Sequence, residues 1–208
     1  MRRAAAGDYP RADRLVEVMS APPGRLCGVL AFTAHHIVAA DVDPEWVRAR
    51  LVPGDLITPM GPRFLSALAK VTGAIPGVLD AVLCAPARQG KPEVPLVELP
   101  PDVDHPRVAH ARLLRTDLRV YGTPDGEGVL IIGRGLAGRW EASFEVAEPR
   151  RNRGLGRALV RAALTLAPPG EPVFMQVSPG NAASLRAVLA GGFRPIGSEM
   201  LFLRIGSS

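Results

Sequence analysis

Two glycine-spaced, arginine-flanked segments have the composition of phosphate-binding loops. Residues 133–139 have the sequence GRGLAGR, and residues 153–159 have the sequence RGLGRAL. Glycine allows a phosphate to approach the backbone, and arginine donates charge-assisted hydrogen bonds to it. The first amides of a helix add outward-pointing donors without internal partners. A phosphate function therefore requires that a helix follow the loop.

The first segment matches a dinucleotide-binding pattern without its structural context. Gly133, Gly135 and Gly138 have the spacing G-x-G-x-x-G after an apolar strand. That function needs a helix next, but residues 140–146 alternate between apolar and polar, which is typical of a strand. We therefore predict a hairpin turn whose glycines adopt positive φ. A nucleotide-dependent enzyme that uses NAD would be favoured only if a helix followed Gly138.

The second segment does have that context. Apolar residues recur at helical spacing from Leu155 to Leu166, until a Pro-Pro-Gly stop. The unit is therefore strand, arginine-glycine loop and helix, and we predict that it binds a diphosphate at the helix start. An ordinary helix start with solvated arginines is the alternative.

Residues 146–160, VAEPRRNRGLGRALV, resemble the acyl-CoA-binding motif of the GNAT superfamily of N-acetyltransferases. That motif is R/Q-x-x-G-x-G/A, and Arg151, Gly154 and Gly156 match it. Residues 173–203 resemble the family's later strand, asparagine-led helix and closing strand, with Asn181 at the helix start. The resemblance covers roughly residues 94–204, and two motifs in the right order are more specific than either alone.

The resemblance implies an α/β (α+β) fold with a mixed, mostly antiparallel sheet flanked by helices. The sheet would splay open between the strands at residues 140–147 and 172–177, where the pantetheine arm would pair with strand backbone. Acetyl-CoA is the implied co-substrate, and no metal is implied. The residues implied to contact CoA are Val146, Glu148, Arg151, Asn152, Arg153, Gly154, Leu155, Gly156, Arg157, Ala158, Asn181 and Ser184.

The implied reaction is direct transfer of an acetyl group to a primary amine of a small molecule or a protein. A carboxylate on the strand before the loop often serves as the base in the family, and Glu141 and Glu145 share one face of that strand. A structural role is the alternative for each. Many members carry a tyrosine acid where this chain has Val188. A catalytically inactive CoA-binding regulatory module is therefore the alternative function.

The rest of the chain is expected to divide into three parts. Residues 1–24 are predicted to form a loose leader. Residues 25–92 are predicted to form an αβ region that is an enlarged half of the family domain, a degenerate half or a separate cap. Residues 93–208 would form the acetyltransferase domain. Two helices are predicted to begin at Pro44 and Pro62, and residues 77–85 to form a strand.

Composition excludes several classes of protein and partner. The pI is near 10.0, but the chain has only two lysines, and its arginines are scattered except for the group around residues 150–161. We therefore predict no nucleic-acid partner. Residues 26–40 are too short to span a bilayer, and the N-terminus lacks the apolar core of a signal peptide. No membrane association is expected. The sequence does not identify the oligomeric state, and a homodimer is the possibility that base rates favour.

Cysteine and histidine offer no metal site. Cys27 and Cys84 are isolated, which argues against a disulfide framework or a zinc site and favours the cytoplasm. The adjacent pair His35 and His36 is expected to be buried, hydrogen-bonded or at an interface instead of catalytic, and His105 and His110 are expected to lie on a helix surface. The sequence does not identify the acceptor.

Overall fold

The computed structural model describes residues 1–205, which form two compact units. The first unit comprises Met1, Arg3–Ala81 and the chain from Ile196, and the second comprises Arg2 and Val82–Pro195. This division does not follow the expected ranges 1–24, 25–92 and 93–208. It falls inside one long strand instead of in the proline-rich segment that follows that strand.

Strands and helices alternate along the described residues. The strands are β1 (Val16–Met19), β2 (Leu26–Phe32), β3 (His35–Ala39), β4 (Ile75–Pro86), β5 (Val97–Leu99), β6 (Thr116–Gly122), β7 (Gly128–Arg134), β8 (Trp140–Val146), β9 (Pro172–Val177) and β10 (Arg194–Leu203). The helices are α1 (Arg2–Ala5), α2 (Pro44–Arg48), α3 (Pro62–Thr72), α4 (Pro106–Leu114), α5 (Leu155–Leu166) and α6 (Ala182–Ala190). Short 3₁₀ turns lie at Thr58–Met60, Leu136–Gly138 and Glu148–Arg150.

The first unit is built on strands in the order β1-β3-β2-β10-β4. β2 and β3 form an antiparallel hairpin, β1 runs parallel to β3, and β10 runs antiparallel to β2. The expectation of a loose leader was wrong for Val16–Met19, because the backbone of these residues pairs with β3. The apolar run at residues 26–40, which is too short to span a bilayer, forms β2 and β3.

α2 and α3 of the first unit begin as predicted. The Asp43 carboxylate accepts from the backbone NH of Glu45 and caps α2, whose first residue is Pro44. α3 ends at Gly73, which adopts φ +64°. The α3 side chains Phe64 and Leu68 are buried in one apolar cluster with residues of α2, the strands and the loops, which are Cys27, Val29, Val38, Ala40, Val47, Ala74 and Phe202.

The second unit has the strand order β4-β9-β8-β7-β6-β5, antiparallel from β5 to β8 and parallel between β8 and β9. This mixed, mostly antiparallel sheet with helices confirms the predicted fold class. α4 packs on one face, where Val108 and Ala111 contact Val120 and Ile131. α5 packs on the other face, where its Leu159 approaches Gly128. One face of β8 therefore lies on the α4 side of the sheet, and the other lies on the α5 side.

Candidate functional site

β8, an arginine-rich loop and α5 form the predicted strand, loop and helix. Gly154 is the N-cap of α5 with φ +87°, a conformation in which a side chain would be strained. Ala158 makes the first intrahelical hydrogen bond of this turn, to the carbonyl of Gly154 (3.1 Å). The amides of Leu155, Gly156 and Arg157 precede it, and amides at that position of a helix are anion donors.

Gly156 allows close packing between α5 and its neighbours. A Cβ at Gly156 would lie 3.2 Å from the ring of Phe144 and 3.7 Å from Ala187 Cβ. The sequence motif therefore includes a glycine that lets helix and strand approach closely, in addition to any role toward a phosphate. Asn152 has φ +61° and turns the loop between the strand and the helix.

The two central strands separate after a short parallel contact. β8 and β9 pair only at Trp140 with Val173 and at Glu141 with Phe174, although both strands continue. The predicted splay of the sheet is present at this point. Beyond Glu141, the backbone groups of β8 that point toward β9 are not paired with β9. They form an open strand edge, to which an extended ligand can add by backbone hydrogen bonding.

A cleft of roughly 840 Å³ lies at the mouth of this opening. Nine of the residues predicted from the sequence line it: Glu145, Val146, Arg151, Asn152, Gly154, Gly156, Arg157, Asn181 and Ser184. Five others do not: Glu141, Glu148, Arg153, Leu155 and Ala158. The sequence prediction missed further lining residues, which are Arg107, Phe144, Arg150, Ala183, Arg186, Ala187 and Ala190.

The cleft carries a strong positive charge. Of its lining residues, five are arginines and one, Glu145, is acidic. Arg150 is paired with Glu127 (2.8 Å) and lies 3.9 Å from Asp125. Within the described residues, Arg151 and Arg157 have no carboxylate partner, and Arg151 Nε instead donates to the Val146 carbonyl (3.3 Å). Two arginines beside the helix start are therefore available to an anion.

α6 contributes a second polar edge to the cleft. The Asn181 side chain accepts from the backbone NH of Ser184 (3.1 Å) and caps the helix. Both residues line the cleft, so Asn181 has a structural role beside any contact with a ligand. Val188, also in α6, is fully buried, so the helix has no hydroxyl group at that position that could act as an acid.

Glu141 lies in a buried ion cluster instead of in the cleft. Its Oε1 accepts from Arg139 Nε (2.7 Å) and from the backbone NH of Leu136 (3.2 Å), and its Oε2 accepts from Arg115 Nε (3.1 Å). The side chain is 2% exposed. Burial opposes its charge, but Arg139, Arg115 and the Gln176 side chain outweigh burial and lower the pKa of Glu141.

The Glu141 cluster marks the point at which the strands separate. Glu141 is the last residue of β8 that pairs with β9, opposite Phe174, and the Arg139 guanidinium lies over the Phe174 ring (5.1 Å). A Cβ at Gly135 would lie 2.1 Å from the Glu141 carboxyl carbon, so the hairpin glycine makes room for this carboxylate. These contacts favour a structural role for Glu141.

Glu145 is the accessible carboxylate of β8. Its Oε2 accepts from Arg107 Nε (3.0 Å), and the two side chains are 42% and 38% exposed. Arg107 belongs to the first turn of α4, where His105 caps the helix by accepting from the Arg107 backbone NH (3.1 Å). Of the two predicted catalytic carboxylates, Glu145 alone reaches the cleft.

The first glycine segment is a hairpin, as predicted. β7 and β8 are antiparallel and joined through Leu136–Gly138, so a strand and no dinucleotide-binding helix follows Gly138. Only Gly138 of the three glycines has positive φ (+69°), and Ala137 shares it (+52°). Gly133 and Gly135 are instead needed for close approach, since a Cβ at Gly133 would lie 2.8 Å from the Thr116 carbonyl oxygen.

The predicted histidine pair does not line the cleft. His35 and His36 are buried, and His35 Nδ1 lies 2.9 Å from Asp13 Oδ1. In residues 1–205, no group of three or more His, Cys, Asp or Glu is arranged to hold a metal ion. No helix in that range is long and apolar enough to cross a membrane.

Comparison with known proteins finds likenesses among solved structures only. No family model matches the chain, and no curated protein matches it. A GCN5-related N-acetyltransferase from Kribbella flavida is 13% identical, with 69% of this chain and 64% of that chain covered and a TM-score of 0.41. The chain thus spans less than two thirds of that protein.

Two further structures have TM-scores close to this value. One is described as a putative acetyltransferase of the GNAT family from Novosphingobium aromaticivorans, 20% identical over 64% of this chain and 69% of that chain, with a TM-score of 0.42. The other is a tandem GNAT protein from the clavulanic acid biosynthesis pathway, 17% identical over 90% of this chain and 86% of that chain, with a TM-score of 0.42.

Proposed function

We propose that this protein is an acyl-CoA-dependent N-acyltransferase, with acetyl-CoA as the donor and a primary amine of a small molecule or a protein as the acceptor. One observation carries the proposal. The strands β8 and β9 part after Glu141 and Phe174, and β8 then leads into a glycine-capped helix start in the same cleft. An extended arm that ends in a diphosphate fits this combination of an open strand edge and an anion site.

Each part of the donor has a matching group in the cleft. The amides of residues 155–157 and the side chains of Arg151 and Arg157 would bind the diphosphate. The β8 backbone from Ala142 to Val146 would hydrogen-bond the pantetheine arm. Asn181 and Ser184 would contact the arm from the side of α6.

Glu145 is the proposed general base. The amine lone pair attacks the thioester carbonyl carbon, the N–C bond forms, and the C–S bond breaks with its electron pair leaving on sulfur. Of the two protons that the acceptor's ammonium group loses, Glu145 takes the first and water takes the second. The thiolate takes a proton from water, because α6 has a valine where a tyrosine would donate one. Arg139 and Arg115 hold Glu141 in place, so Glu141 positions the strand on which Glu145 lies.

A catalytically inactive CoA-binding module is the second candidate. Val188 favours it, because that side chain is fully buried and apolar and supplies no acid for the leaving thiolate. The two functions differ in a simple assay. A catalyst releases free CoA thiol when acetyl-CoA is mixed with a suitable amine, whereas a binding module holds acetyl-CoA and releases none.

Calorimetric titration of CoA into the full chain tests the donor site. We expect one CoA per chain, with affinity about tenfold weaker for Arg157→Gln, because a charge-assisted hydrogen bond to phosphate is lost. Arg161→Gln is the matched control, since Arg161 lies one turn further along α5 and pairs with Glu93 outside the cleft. Absence of CoA binding by the unmodified chain would refute both candidate functions.

A further inference from the structure

The Arg107–Glu145 pair presents two opposite charges side by side in the cleft. Their charged atoms are 3.0 Å apart, and more than a third of each side chain is exposed. An ion pair exposed to this extent contributes little to stability, so a ligand can open it at small cost. The pair is therefore a preformed site for a molecule that carries both charges within a short distance.

The charge beside Glu145 disfavours a simple cationic ligand. Within the described residues, Glu145 is the one acidic residue that lines the cleft, and it is paired with Arg107. A primary amine arrives as an ammonium ion, which the Arg107 guanidinium repels. If it paired with Glu145, it would also leave the Arg107 guanidinium without its partner.

We infer that the acceptor is an amine with a carboxylate one or two carbon atoms away, as in an α-amino acid; this inference rests on the proposed acyltransferase function. The acceptor's carboxylate pairs with Arg107, and its ammonium group pairs with Glu145. Both halves of the protein's own ion pair then keep a partner of opposite charge. A bidentate Arg107–carboxylate contact also orients the amine.

The location of Arg107 in α4 suits this role. Arg107 lies in the first turn of a nine-residue helix, where the backbone amides and the helix dipole favour an anion. The same helix is anchored by Val108 and Ala111 in an apolar cluster with Val120 and Ile131. The guanidinium is therefore carried on a fixed element, while its side chain stays accessible.

The reaction balances for such an acceptor. Glu145 accepts one proton from the ammonium group, which leaves a neutral amine to attack the thioester carbonyl carbon. The N–C bond forms as the C–S bond breaks, and the amine nitrogen loses its second proton to water as the thiolate gains one. The products are the N-acyl amino acid and free CoA thiol, and Arg107 stays paired with the carboxylate throughout.

A paired acceptor panel tests the inference. Thiol release from acetyl-CoA is measured with the full chain, using the common α-amino acids and the amine that decarboxylation of each would give. We expect kcat/KM to be at least tenfold higher for the best amino acid than for its decarboxylated counterpart. Arg107→Gln should abolish that preference, mainly through a higher KM for the amino acid, while CoA affinity stays unchanged.

Arg112→Gln is the control, because Arg112 lies on the exposed side of the same helix and does not line the cleft. It should retain the preference. The inference is overturned if the decarboxylated amines or peptides with free amino ends are better acceptors, if Arg107→Gln keeps the preference, or if no amino acid is acetylated. Retained CoA binding in any of these cases would leave the donor site intact, whereas loss of CoA binding would remove the proposed function itself.

Discussion

The buried carboxylate Glu141 and the accessible carboxylate Glu145 should respond very differently to the same substitution. Both lie on one face of β8, four residues apart, and both pair with arginine. Glu141 is 2% exposed and binds two guanidinium groups and one amide, whereas Glu145 is 42% exposed and binds one guanidinium. Replacing each with alanine therefore separates a structural from a functional role.

The expected size of the difference follows from burial. Glu141→Ala leaves the Arg115 and Arg139 guanidiniums buried without their shared counter-ion, and breaking a buried pair in this way costs about 3–5 kcal/mol. Glu145→Ala removes an exposed pair worth about 1 kcal/mol or less. For a chain of this size, each kcal/mol shifts the melting temperature by about 2–4 °C. We therefore expect losses of roughly 6–20 °C for Glu141→Ala and less than about 4 °C for Glu145→Ala.

Thermal unfolding followed by circular dichroism measures both variants under one set of conditions. Thiol release from acetyl-CoA gives the second readout, with Glu145→Gln expected to lose about 100-fold in turnover while melting near the unmodified chain. If Glu141→Ala melted within about 4 °C of the unmodified chain, the buried cluster would not have the stabilising role assigned to it. If Glu145→Gln kept full turnover, Glu145 would not be the base.

Three further outcomes follow from charge and backbone geometry. Because the pKa of Glu141 is lowered in the folded chain, the ionised carboxylate stabilises the fold above the ordinary carboxyl pKa of about 4.3. This stabilisation is lost as pH falls through the lower pKa that Glu141 has in the folded chain. The melting difference between Glu141→Gln and the unmodified chain should therefore shrink in acid, and a constant difference would contradict this. Burial, and to a smaller extent the charge of Glu199, raises the pKa of Asp80 to about 6. Ionisation of Asp80 therefore destabilises the folded chain as pH rises from about 4 through 6. Asp80→Asn should stabilise by roughly 1–3 kcal/mol at pH 8 and not at pH 4 in urea titrations, and equal effects at both pH values would refute the assignment. Gly154→Ala should lower the free energy of unfolding by about 1–2 kcal/mol, because Gly154 has φ +87°. Gly180→Ala should be near neutral, because Gly180 lies in open space without positive φ. Similar losses of stability in both variants would contradict the assignment of strain to the helix cap.

The local elements of this fold were predictable because each carries its own signal. Pro44 and Pro62 mark helix starts, Gly73 marks a helix end, and alternation at residues 140–146 distinguishes a strand from a helix. The same alternation showed that the G-x-G-x-x-G segment is a hairpin. The strand β1 was missed because four residues give too short a pattern, and its pairing with β3 is parallel and nonlocal.

The roles of the two carboxylates could not be predicted, because they depend on a helix about 30 residues earlier in the chain. Arg107 and Arg115 are eight residues apart, a rise of about 12 Å along a helix. Glu141 and Glu145 are four residues apart, about 13 Å along a strand. This match places one arginine on each carboxylate in antiparallel order. The spacing is present in the sequence, but it has meaning only once α4 is known to pack against that face of β8.

Hydrogen exchange of backbone amides with and without CoA tests the central claim most directly, because it locates the ligand on the chain. We predict that CoA slows exchange at the start of α5, in residues 155–157, and along the unpaired edge of β8, from Ala142 to Val146. The hairpin at residues 133–138 should be unaffected. Protection confined to that hairpin, or no protection at a CoA concentration that saturates the calorimetric titration, would contradict the assignment of the donor to this cleft.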